Sequence, residues 1–157
     1  MVSQSAPTTR DQATAVLDST RAELRRAIDG LTPEQMTATA VDGWSVKDMI
    51  SHISSWDELM ALDFRRLARG HQPGLMHFAP DRTDSWNEAT MAMRREFPLD
   101  QVLAELDATR QEMAAALDAL PDAAFAAGFV PAVLGVCGRH DEEHSELIEK
   151  WRKEGGI

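Results

Sequence analysis

Four long segments of this chain repeat their apolar residues at the period of an α-helix, and no segment alternates cleanly as a half-buried strand would. In the first, about residues 10–30, Ala13, Leu17, Thr20, Leu24, Ala27 and Ile28 share one face. Gly30 closes it as a glycine just past a helix does. The second carries Met49, Ile50, Ile53, Trp56, Met60, Phe64 and Leu67. It begins inside "DGWSVKD", where Ser45 and Asp48 resemble a capping box with Asp in place of Glu, and "GHQPG" stops it after Arg69. The third, about 99–119, presents Val102, Leu103, Leu106, Met113, Ala116, Leu117 and Leu120 before Pro121. The fourth occupies roughly 132–154.

Shorter features fill the gaps. "LTPEQM" is a turn with Pro33 at a helix-start position, 71–83 is a loop, and a short helix from about Asp84 to Phe97 is broken by Pro98. With no tyrosine and no alternating β-branched run, the pattern predicts an all-α fold. The expected architecture is a four-helix bundle with a short extra helix between the second and third long helices. At 157 residues the chain reads as a single domain, 1–157, with 1–9 flexible.

Composition narrows the function classes. Hydrophobic residues make up 43% and charged residues 27%, a globular mixture. No apolar run is long enough to span a bilayer, and the N-terminus does not read as a signal peptide. The single cysteine, Cys137, excludes an internal disulfide framework, and a cytoplasmic location fits. The net charge is −10, whereas nucleic-acid binding rewards clustered positive charge. Arg25–Arg26, Arg65–Arg66 and Arg94–Arg95 read as solvated helix faces, so no nucleic-acid partner and no membrane partner are expected.

The last helix carries the chemistry. "GRHDEEHSELIEKW" puts His140 and His144 on the same face as Leu147, Ile148 and Trp151. Two imidazoles at i and i+4 can reach one ion at bonds of about 2.0–2.1 Å. His52, at the edge of the second stripe, is in phase to complete a three-histidine site with an open coordination position. The competing reading is a set of buried, hydrogen-bonded core histidines without metal. "HDEEH" also fits the inverted zinc-protease pattern, which needs a third ligand well downstream, and too little chain follows His144. Asp141, Glu142 and Glu143 read as a solvated acidic face, with Glu143 or Asp48 as candidates to orient a ligand ring. Cys137 lies near the same face and reads as a small hydrophobe rather than a ligand. His71 and His77 read as surface residues, Trp56 and the methionines as core, and Trp44 and Trp86 as loop clamps.

Together, "DGWSVKDMISHISSWDE", "DSWNEA", "VLAELDATRQEM" and "GRHDEEHSELIEKWR" resemble the DinB-like superfamily over about residues 10–154. The resemblance implies a bacterial four-helix bundle with His52, His140 and His144 at the family's three metal-ligand positions, commonly filled by zinc or nickel. It implies a metal-dependent hydrolase, or an S-transferase using a low-molecular-weight thiol such as mycothiol or bacillithiol, acting on a small electrophilic molecule. Many such proteins are dimers. The alternative is a non-catalytic bundle that binds a small molecule for self-protection. A related genotoxin-protection branch lacks the triad, so the triad counts against that branch.

Overall fold

The structure, a computed structural model, describes residues 6–126 and 128–157; residues 1–5 of the segment expected to be flexible lie outside the described residues. Of the remainder of that segment, Pro7 is buried, and the Thr9 side chain accepts from the Gln12 N–H and caps the first helix. The helices are α1 (Arg10–Ile28), α2 (Pro33–Thr37), α3 (Val46–Ala68), α4 (Thr83–Arg94), α5 (Leu99–Asp118), α6 (Ala123–Ala126) and α7 (Phe129–Gly155). The fold is all-α as expected, with α4 as the extra helix. The last helix starts at Phe129 rather than near 132. Pro131 falls in its first turn, where a missing N–H breaks no helical bond.

Sequence reading missed a small hairpin. Strands β1 (Thr39–Val41) and β2 (Trp44–Ser45) pair antiparallel around Asp42 and Gly43, both at positive φ (51° and 83°). An Asp-Gly pair is the preferred centre of such a two-residue turn. Its flanking strands are too short to show alternation. The hairpin delivers Trp44 directly ahead of α3, whose N-cap is Ser45 in a full capping box with Asp48. Ser45→Ala removes the acceptor for the Asp48 N–H and is expected to cost about 1 kcal/mol. That is a fall of roughly 2–4 °C in Tm by circular dichroism for a chain of this size.

Contacts between helices set their directions. Arg21 meets Asp141, and Arg152 reaches Ala27, so α1 and α7 run parallel. Lys47 reaches the Phe97 carbonyl and Asp57 meets Arg110, so α3 and α5 run parallel. Met60 touches Cys137 while His52 touches His140, which makes α3 and α7 antiparallel. Arg10 bonds Leu117 while Arg21 bonds Leu106, which makes α1 and α5 antiparallel. The topology is up-down-down-up. Parallel neighbours need a long crossover, and residues 69–98, including α4, supply it. The buried Asp63 carboxylate pins this crossover by accepting from the Gly74 and Leu75 N–H groups, both at 2.8 Å.

The core is divided. One apolar cluster holds Leu17, Met60, Phe64, Met113, Phe125 and Leu134; the other holds Leu24, Ile50, Ile53, Val102, Leu106 and Ile148. Between them each long helix contributes one buried charge: Arg21, Asp57, Arg110 and Asp141. Leu147, expected on the buried face of α7, is 37% exposed at the helix edge. Among the described residues no helix is long and apolar enough to cross a membrane.

Candidate metal centre

His52 lies two turns into α3, 6% exposed, with the Trp44 ring edge-on at 5.1 Å between centroids. Because α7 runs antiparallel to α3, its half-buried His140 and His144 arrive opposite His52 from successive turns. His140 Nε2 is 2.8 Å from His52 Nε2. Ring centroids are 4.7 Å apart for His52–His140, 5.3 Å for His52–His144 and 4.8 Å for His140–His144. One ring nitrogen from each lies within 4.8 Å of the others. A tetrahedral ion with bonds of about 2.0–2.1 Å spaces its ligand atoms by about 3.3 Å. The shortest and longest separations here bracket that value, so the three residues can hold a metal ion.

Electrostatics keep the rings in the ligating, neutral form. Burial, and then the neighbouring His140 and His144, lower the His52 pKa to about 3. Burial, then His144, Arg110 and Arg21, lower His140 to about 3. Burial lowers His144 as well, against the pull of Asp141. His52 Nδ1 and His144 Nδ1 are buried with no hydrogen-bond partner among the described residues. A purely structural role predicts satisfied nitrogens. These two are not satisfied.

Beside the triad lies the charge layer, which the sequence reading did not find. Arg21 Nη2 donates to Asp57 Oδ2 at 2.7 Å and Arg21 Nε to Asp141 Oδ2 at 3.1 Å. Arg110 Nε donates to Asp57 at 3.2 Å and Arg110 Nη2 to Asp141 at 2.7 Å. Burial by itself would lower the Arg21 pKa, but Asp57 and Asp141 outweigh it and hold it above the ordinary value. Asp141 is 1% exposed, so its assignment to a solvated acidic face was wrong; Glu143 is exposed as expected. The available signal was a charge in core phase on each helix, three residues before Leu24, Met60 and Met113 on α1, α3 and α5.

Other candidates stay outside the triad. Asp48 is engaged by Ser45 in the α3 cap, and no hydrogen bond joins Asp48 or Glu143 to a triad ring among the described residues. Cys137 faces Met60 Sδ, and burial pushes its thiol pKa up, so it behaves as a small core residue. His71 and His77 are exposed. Trp44 and Trp86 do not merely clamp loops. Trp44 touches His52, and Trp86 joins Phe78 against Trp56.

This all-α bundle is of the DinB type: a model of the DinB superfamily matches residues 16–148, and the chain belongs to that family. Among solved structures, an uncharacterised protein of Escherichia coli UTI89 superposes with a TM-score of 0.82 at 16% identity, over 98% of each chain. The colibactin self-resistance protein ClbS, solved in complex with double-stranded DNA, superposes with a TM-score of 0.80 at 14% identity, over 94% of this chain and 97% of that one. At these identities the likeness is one of fold. No curated protein matches the chain.

Two expectations are corrected by this comparison. The reading as a metal-dependent hydrolase or thiol S-transferase is overturned: the neighbour with a stated role is a self-resistance protein, which backs the binding and self-protection alternative. The expectation of no nucleic-acid partner also fails, since ClbS carries this fold on double-stranded DNA. Net charge sums over a whole surface, while phosphate contacts depend on local charges.

Proposed function

We propose that this chain is a non-catalytic, self-protecting bundle that binds a small molecule at a divalent ion, zinc or nickel, held by His52, His140 and His144. The observation that carries this reading is the convergence of three neutral imidazoles, two with orphaned buried nitrogens, beside groups unsuited to turnover. Asp57 and Asp141, the buried carboxylates of the adjoining layer, are both clasped by Arg21 and Arg110 and are not free to act as bases. Cys137 is buried as a thiol rather than a nucleophilic thiolate. A bound ion supplies an open position for an oxygen, nitrogen or sulfur donor, including that of a low-molecular-weight thiol. The protein's own part is to keep the rings neutral and to shield them from solvent.

Metal analysis by mass spectrometry of tag-free protein is expected to find about one zinc or nickel per chain, and a His140→Ala/His144→Ala variant to lose nearly all of it. Equal metal in both proteins, or none after reconstitution, removes the reading. A bound small molecule recovered chemically unchanged supports storage over turnover. A short DNA duplex belongs in the same ligand panel because of the likeness to ClbS.

A further inference from the structure

We propose that the bound small molecule is aromatic, with a carbonyl-type acceptor on its ring and a metal-binding donor at its other end. This rests on the proposed metal centre and deepens it. Two of the four tryptophans in the chain, Trp44 and Trp56, pack on His52 of the triad, and a third, Trp86, packs on Trp56. The rings run in series: Trp44 against His52, His52 against Trp56 at 6.5 Å, then Trp56 against Phe78 at 6.0 Å and Trp86 at 6.3 Å.

Three observations separate this row from ordinary core. The core rings Phe64 and Phe125 are 0% exposed, whereas Trp44, Trp56, Phe78 and Trp86 all remain half-buried. The row is continuous with the imidazole that the ion would share. The third concerns the two indole N–H groups. Trp56 Nε1 donates to Asn87 Oδ1 at 3.0 Å, while Trp86 Nε1 is buried without an acceptor among the described residues. An indole whose N–H goes unmet costs free energy that phenylalanine would not. A ligand oxygen satisfies it. Phe78 and Trp86 come from the crossover between α3 and α5, so the long connection that the parallel pair requires also supplies the outer rings of the row.

The test uses zinc-loaded protein and three hydroxamates, which share a metal-binding head: acetohydroxamate, benzohydroxamate and 4-acetamidobenzohydroxamate. Affinities are read by calorimetry. Benzohydroxamate is expected to bind about tenfold tighter than acetohydroxamate. The acetamido compound is expected to bind about fivefold tighter again. Trp56→Leu should abolish the aromatic preference, and Trp86→Phe only the acetamido gain, with the zinc content and circular-dichroism melting of each variant as the folding control. Equal affinity for all three compounds overturns the aromatic proposal and leaves the metal centre standing. Binding of none overturns the aromatic proposal, and the zinc content of the same sample decides separately whether the metal centre stands.

Discussion

Asp57→Asn is expected to cost about 3–5 kcal/mol of stability, a large fraction of what a domain of this size possesses. Asp57 is 3% exposed and accepts from both Arg21 and Arg110. Neutralising it leaves two buried guanidiniums facing one carboxylate, Asp141. Arg110 Nη1 already lacks an acceptor among the described residues, so the loss of Asp57 adds to a donor excess in the layer. The matched experiment replaces all four charges with apolar residues of similar volume. A buried pair removed whole is often neutral, or stabilising by about 1–4 kcal/mol, because its desolvation penalty disappears with it. Urea unfolding of both variants decides the point. A single variant that unfolds like the parent would show that the layer is not electrostatically closed.

Acid is expected to unfold the metal-free protein well above the pH at which its carboxylates alone would do so. The folded state keeps His52 and His140 neutral down to about pH 3, while the unfolded chain takes up protons near pH 6.5. Between those values the unfolded state binds more protons, so stability is full above about pH 6.5 and falls as pH is lowered through the window. Each of these histidines contributes a slope of about 1.4 kcal/mol per pH unit. Two or three units of acidification therefore remove several kcal/mol. Urea midpoints at a series of pH values from 7.5 to 4 measure the slope, and His140→Gln should make it shallower. A flat profile from pH 7 to pH 5 would mean that the rings are not held neutral.

The two predictions concern neighbouring groups that differed greatly in legibility. The histidines stood out because imidazoles four apart on an apolar stripe are uncommon and demand an explanation. The charge layer did not, because single arginines and aspartates on amphipathic helices are usually solvated. The α5 stripe passes from Leu106 to Met113 with only Arg110 and Thr109 in phase between them, and that gap is the trace the layer leaves in sequence. The hairpin escaped for another reason. Its strands, Thr39–Val41 and Trp44–Ser45, are below the length at which alternation can be seen.

By itself the sequence determined what is local: four helices, their caps and breaks, their buried faces, and the phase that brings His140 and His144 into register with each other. Only the tertiary structure decided how the helices run, which four charges close on one another, and that Phe78 and Trp86 meet the Trp56 ring that packs on His52. The division has a physical basis. A helix and its cap are made by bonds three or four residues apart, so their causes lie within one segment. The charge layer joins groups up to 120 residues apart, and its members are chosen by packing against partners that no single segment contains.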